Sequence, residues 1–303
     1  MKKFGFLIVA LSLTLLAAQA QIVRVDSLSP WKKKLVANLN LNQASFSSNW
    51  KAGGINSIGI NSLFNYKANY VADKISWDNE IDLAYGFVNN TGQGYRKTID
   101  RIFLDTKYGR KLNDKWSLFT SLNFLSQFTK GYNYEEDANG DEQALLISDF
   151  IAPAFVTSAW GVEYVPAEYF KLRISPFAPR LTIVKDARRF TETVGPEPYG
   201  VDSTETTRFE WLAFQLMADF NKDIATNVNL KWRYMMYANY ETIKMKTIDH
   251  RLDLNIGVKL GRFVNMGIGG ILIYDYDQDS GAQVSQVFSI GVAYNFQNYV
   301  EEK

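Results

Sequence analysis

From Leu35 to Phe296 the chain keeps returning to one pattern, apolar and polar residues alternating one by one over runs of strand length. Successive side chains of a strand point to opposite faces, whereas a helix would mix the two sets, so the pattern commits the chain to β-structure with two unlike faces. The third run is the sharpest: Ile75, Trp77, Ile81, Leu83, Tyr85 and Phe87 oppose Ser76, Asp78, Glu80 and Asp82. In the run 248–260, Ile248, Leu252, Leu254, Ile256, Val258 and Leu260 oppose Asp249, Arg251, Asp253, Asn255 and Lys259. Counting all such runs gives about twelve strands, the least regular being 170–183 and 208–220. In 208–220 the nominally polar face carries Phe209, Trp211 and Met217.

Alternation does not say which face is inside, so a soluble barrel or sandwich with an apolar interior competes with a membrane barrel. Three features favour lipid outside. The runs reach about 10 to 13 residues, which suits a tilted membrane crossing and exceeds the usual soluble strand of about 5 to 6. Aromatics gather near the strand ends, with Tyr66, Tyr70, Trp77, Trp116, Tyr164 and Phe170 at one end and Phe87, Phe124, Phe150, Tyr240 and Tyr274 at the other, like two interfacial girdles. Tight turns (Val71–Lys74, Lys111–Lys115, Pro166–Tyr169, Gly261–Arg262) alternate with longer segments rich in loop formers (Gln43–Gly54, Val88–Lys97, Thr129–Asp149, Val184–Thr207). That is the layout of an antiparallel up-and-down transmembrane β-barrel with its long loops outside the cell.

Residues 1–20 carry a basic start at Lys2 and Lys3, an apolar stretch from Phe4 to Leu16 and the small-residue pattern Ala18-Gln19-Ala20. This reads as a signal peptide for the general secretory route, with residues 21–303 as a single barrel domain and the barrel itself at about 33–297. The expected location is the outer membrane of a Gram-negative cell. Expected partners are outer-membrane lipid, the outer-membrane assembly machinery during biogenesis and other envelope proteins. With 33 basic and 32 acidic residues the net charge is +1, which offers no basic face for nucleic acid. The chain has no cysteine, so neither a disulfide framework nor a lipid-bearing cysteine is available. The uncharged stretch from Ser280 to Val300 interleaves Ser, Gln and Asn with apolar residues and reads as strand rather than membrane helix.

The turn and loop residues carry a resemblance. Asn49-Trp50 with Gly53-Gly54 and Asn56-Ser57, Trp77-Asp78-Asn79-Glu80, Arg96-Lys97-Thr98, Lys107-Tyr108-Gly109, Ser126-Gln127-Phe128-Thr129 with Gly131-Tyr132, and Tyr274-Asp275 together resemble a domain-of-unknown-function family of outer-membrane-barrel-like proteins. The resemblance implies fold and location and brings no activity with it.

No catalytic constellation stands out. His250 is the single imidazole and falls on the apolar parity of its strand, in the run Asp249-His250-Arg251-Leu252, without the serine two residues away that an outer-membrane phospholipase arrangement would need. Asp275-Tyr276-Asp277-Gln278-Asp279 starts like a calcium loop but lacks glycine at the sixth position and has Gln286 at the twelfth. Gly267-Ile268-Gly269-Gly270 lacks dinucleotide-loop spacing. No metal site and no cofactor is expected. The charges of the polar faces are the more informative set: Asp78, Glu80 and Asp82, then Arg101, Asp105 and Lys107, then Lys231 and Arg233, then Asp249, Arg251 and Asp253. Lining a lumen, they would either pair and fill it or leave a charged constriction that selects solutes. Trp50, Tyr132 and Tyr134 sit in expected outer loops, where aromatics can stack on sugars or anchor a partner. The expected function is therefore a narrow channel or binding scaffold, the alternatives being a structural subunit of an envelope assembly and a surface hydrolase using His250.

Overall fold

The computed structural model describes residues 21–23, 29–45, 47, 55–261 and 264–299, so Trp50 and the leader segment lie outside the described residues. The strands are β1 (Gln21–Val23), β2 (Trp31–Ala44), β3 (Ser57–Ala72), β4 (Ile75–Asn90), β5 (Gly94–Lys111), β6 (Trp116–Ser126), β7 (Gly131–Glu136), β8 (Glu142–Ser148), β9 (Ala154–Ala167), β10 (Phe170–Phe177), β11 (Arg180–Ile183), β12 (Thr207–Glu210), β13 (Ala213–Ala225), β14 (Val228–Asn239), β15 (Ile248–Lys259), β16 (Val264–Tyr274) and β17 (Gln283–Gln297). The hydrogen-bonded path runs β2-β3-β4-β5-β6-β9-β10-β13-β14-β15-β16-β17 and returns to β2, closing a 12-stranded antiparallel barrel. Closure pairs Ile290 to Gln297 of β17 with Leu41 to Lys34 of β2, which leaves no open edge at the seam.

The two weakly patterned runs are broken walls. β10 and β11 are one wall interrupted at Ala178-Pro179, and β12 and β13 one wall interrupted at Trp211-Leu212. In β13 the odd residues Gln215 and Met217 are buried inward, whereas in β12 the odd residue Phe209 is 45% exposed. Trp211 and Leu212 both face outward, one residue more than alternation allows between Glu210 and buried Ala213, and this reverses the parity, so a single odd-even reading of 208–220 must fail. The same reversal separates buried Ser175 of β10 from buried Thr182 of β11. A bulge that re-aims side chains in this way is a built feature of a barrel wall.

One expected loop is corrected. The segment Val88–Lys97 is not an irregular loop: β4 and β5 pair out to Asn90 and Gly94, and only Thr91 to Gln93 join them. A register shift between Gly86 and Phe87 ends the clean alternation there, and Gly92 and Gly94 take positive φ of 87° and 73° in the turn. The asparagines Asn89 and Asn90 look like loop formers in the sequence yet belong to a hairpin that continues past the barrel wall.

The remaining outer segments pack on one another. β7 and β8 form a separate hairpin, and residues 184–206 fold over it around Ala152, Val184, Ala187, Phe190, Tyr199 and Val201. The Tyr199 hydroxyl donates to the Ile147 carbonyl, and the Thr193 hydroxyl to the Leu146 carbonyl at 2.6 Å. Arg208 fastens this cap to the β16–β17 loop, donating to the Gly200 carbonyl at 3.0 Å and lying 3.3 Å from the Asp277 carboxylate.

Candidate functional site

Exposure settles which face is inside. Leu39, Leu41, Ile81, Leu104, Leu118, Leu122, Ile268 and Phe288 are exposed, while Asn40, Asn61, Glu80, Asp82, Asp105, Lys107, Ser121, Asn123, Glu163 and Arg173 are buried. A soluble barrel would show the opposite arrangement. Outward aromatics form clusters at both ends. Trp31 lies 5.3 Å from Tyr70 and 5.9 Å from Trp77 at the turn end, with Trp116 on Tyr164 at 4.6 Å nearby. Tyr85 meets Phe128 at 6.2 Å at the loop end.

The inward side chains make a charged lattice. The carboxylates of Asp78, Glu80, Asp82, Asp105, Glu163, Asp219 and Asp253 are each ion-paired with Lys67, Arg101, Lys107, Arg173, Lys231, Arg233 or Arg251. Seven acids against seven bases is the outcome that three carboxylates at alternate positions of β4 demand, since unpaired they would repel.

Two arginines cross the lumen. Arg101 of β5 holds Asp82 on its neighbour β4 at 2.5 Å and Asp253 of β15 at 2.9 Å. Arg233 of β14 holds Asp219 on β13 at 2.6 Å and Glu80 of β4 at 2.7 Å. β5 and β15 are six walls apart in the ring of twelve, as are β4 and β14, so both bridges join opposite walls. Arg173 of β10 ties Asp105 at 2.8 Å to Glu163 at 3.2 Å, and Lys107 sits between Glu163 at 2.5 Å and Asp78 at 2.9 Å. A guanidinium suits these posts because its fixed fork serves two carboxylates at once.

The lattice brings together Asp78, Glu80, Asp82, Arg101, Asp105, Lys107, Lys231, Arg233, Arg251 and Asp253, all named from the sequence. Asp249 stands apart, nearer the mouth, where Arg180 reaches it at 3.0 Å while stacking over the Tyr237 ring. Lys67, Glu163, Arg173, Asp219 and Arg180 complete the arrangement and were not singled out from the sequence. Arg173, Arg180 and Asp219 lie on the broken walls, and reading each half with its own parity would have put them on the polar face. Above Arg101 and Arg251, a cavity of about 280 Å³ opens between β5 and the β16–β17 wall, lined by Ile271, Ile273, Gln283 and Ser285.

His250 is outward. Its Nδ1 shares a 2.7 Å hydrogen bond with the Tyr234 hydroxyl, and its ring lies between Tyr234 and Tyr274 at 6.1 and 6.3 Å, as an aromatic-belt residue would. The Asp275 carboxylate turns back on its own loop, accepting from the Asp277 amide at 3.0 Å and the Gln278 amide group at 2.6 Å. Among the described residues no cluster of three or more metal-ligating side chains occurs. Tyr132 and Tyr134 sit together on β7, their rings 6.4 Å apart.

A family described as "Protein of unknown function (DUF3078)" matches residues 41–132. No curated protein matches the chain. Among solved structures, the COG4313 outer membrane channel from Pseudomonas putida F1 is similar over 92% of this chain and 98% of its own, at 10% identity and a TM-score of 0.39. The NanC porin is similar over 86% of this chain and 98% of its own, at 8% identity and a TM-score of 0.40.

Proposed function

We propose that the chain is an integral outer-membrane β-barrel that works as a narrow channel for small ions, its bore set by side-chain ion pairs. Membrane placement is supported by the outward apolar wall, the aromatic clusters at both ends and the contrast of tight turns with long loops. The observation that carries the channel reading is the pair of arginine bridges across the lumen, Arg101 to Asp253 and Arg233 to Glu80. They close the bore with flexible side chains, which can part and reform, and charged rings of this kind select what passes. A second feature supports a wet lumen. Asn38 Oδ1, Arg101 Nε, Asp105 Oδ1, Asn123 Nδ2, Arg180 Nε and the Tyr237 hydroxyl are buried along the inner face without a protein partner. In lipid such atoms find hydrogen bonds only from water inside the barrel.

The test is conductance in planar bilayers. The wild-type chain should give small unitary steps, and Arg101→Ala and Arg233→Ala should each enlarge them several-fold while shifting selectivity toward cations, because Asp253 then keeps only Arg251 and Glu80 only Lys67 as ion-pair partner. No conductance from wild type or either variant would remove the channel reading and leave the scaffold. The scaffold reading has its own support in the outer cap, whose apolar core around Phe190 and Tyr199 gives the loops a fixed surface. Closure of the terminal strand on Tyr294, Asn295 and Phe296 is what the assembly machinery would meet during insertion.

A further inference from the structure

On the outside of the barrel, at the loop end of β4 and β5, the β7–β8 hairpin leaves a cleft of about 580 Å³ that the channel does not use. Its floor is the outward face of the wall, where Phe87 and Tyr95 meet at 5.5 Å. Its far side is Tyr132 and Tyr134. Three basic residues stand among these rings: Arg96, Lys97 and Lys130.

The cations are held in place without being used up. The Arg96 guanidinium lies 4.1 Å above the Tyr134 ring and pairs through Nη2 with Glu142, while its Nε has no partner. Lys97 Nζ donates to Asp100 at 2.9 Å and to the Thr129 carbonyl at 3.0 Å, which leaves one of three N–H groups. Asp100 is itself engaged by the Phe128 and Thr129 amides at 2.7 and 3.0 Å. Gly131 lets β7 pack closely against Ser148 and Lys97, since a Cβ there would meet Ser148 Oγ first and Lys97 Nζ at 3.2 Å. Lys130 is exposed at the rim. The lining itself carries three cations and no carboxylate, with Glu142 and Asp100 as their partners and Glu136 opposite Glu142 toward the hairpin tip, so hydrogen-bond donors stand beside an aromatic slot.

Depth decides the ligand. Trp77 marks the turn-end girdle on β4, and Phe87 is ten residues further on. At about 3.3 Å per residue and a tilt of about 40°, that is roughly 25 Å across, the height of a barrel's apolar band. The cleft therefore opens where the headgroups of the outer leaflet begin.

We propose that this cleft binds the phosphate-bearing headgroup of an anionic glycolipid of the outer leaflet, with Arg96, Lys97 and Lys130 on the phosphate and the tyrosines on the sugar and first acyl carbons. Charge-assisted hydrogen bonds suit phosphate, and amphipathic rings suit a ligand half in lipid. The inference rests on the outer-membrane reading above.

The test is native mass spectrometry of the full-length chain released from detergent, titrated with diphosphorylated lipid A, with the same lipid stripped of phosphate, and with inorganic phosphate. The phosphorylated lipid should bind about tenfold more tightly than the stripped one, and the double variant Arg96→Gln/Lys130→Gln should lose that preference. Lys130→Gln alone, which leaves the Arg96–Glu142 pair intact, should lose about threefold and guards against a hairpin that merely misfolds. Equal binding of the two lipids, or an unchanged preference in both variants, would overturn the proposal. Inorganic phosphate competing as strongly as the lipid would also overturn it, in favour of a free-anion site. Membrane fractionation of the same preparations separates the causes: recovery in the outer membrane without a phosphate preference sinks only this inference, whereas recovery in the soluble fraction sinks its premise as well.

Discussion

Arg173 touches two carboxylates and is buried, so its removal leaves Asp105 without its ion-pair partner and Glu163 with Lys107 as its remaining one. Breaking a buried pair in this way costs on the order of 3 to 5 kcal/mol, and Arg173→Ala should lower stability by that amount in urea unfolding from detergent micelles. Arg173→Lys should recover only part, because one ammonium cannot reproduce donation from both Nη1 and Nε. At the mouth, burial lifts the Asp275 carboxyl above the ordinary carboxylate range; Gln278 and Arg180 oppose the shift and Asp277 adds to it. Asp249 of β15 faces the same group. A carboxyl raised in the folded state stabilises it fully below its unfolded pKa and loses that contribution as pH rises through the folded value. The cap over 184–206, fastened beside it through Gly200, Arg208 and Asp277, should therefore be cut faster by protease at about pH 8 than at about pH 5. Asp275→Asn should flatten that difference, and a cap equally resistant at both values would refute the assignment.

At the scale of strands, the two faces of β5 should respond in opposite ways. Leu104 is outward and near the middle of the band, so Leu104→Arg should cost about 2 to 4 kcal/mol. The inserted pair Trp211-Leu212 sets the parity of everything that follows in its wall. Deleting Leu212 alone removes the extra residue and leaves Arg208, Glu210, Ala213, Gln215 and Met217 on one parity, so that variant should keep the folded band in gel mobility assays, whereas deleting both Trp211 and Leu212 should force either Arg208 and Glu210 or Gln215 and Met217 to the wrong face and abolish it. A normally folded double-deletion variant, or loss of the folded band in the single deletion, would contradict the parity account. These breaks also explain what could be read in advance. Strands such as β4 and β15 were legible because one parity runs through the membrane-facing part of each and nearly every outward position is apolar, Asn79 and His250 being the exceptions. In the walls of β10–β11 and β12–β13 the parity reverses midway, so Arg173 and Asp219 escaped notice although each half alternates well. The β4–β5 hairpin beyond Gly86 was hidden for the same reason, a register shift among asparagines. Alternation is a local signal, whereas the bridges from Arg101 to Asp253 and from Arg233 to Glu80 join strands far apart in sequence. The charged faces were visible, but which charges meet depends on how the ring closes.

For the molecule as a whole, alternation, strand length and loop contrast allow a membrane barrel, and the inward charge lattice distinguishes it from a soluble one. A water-soluble barrel inverted in this way would bury seven paired carboxylates while exposing Leu39, Leu104, Leu122 and Phe288. Lipid on the outside makes both choices favourable at once. The chain has no cysteine, so single cysteines can be placed freely for spin labelling in reconstituted bilayers. Labels at Ile102, Phe103, Leu104 and Asp105 of β5 provide the most direct test, read by collision with oxygen, which concentrates in lipid, and with a water-soluble nickel chelate. Positions 102 and 104 should be reached by oxygen and shielded from nickel, with 103 and 105 protected from oxygen. Nickel access at 102 and 104, or no difference between odd and even positions, would contradict the account.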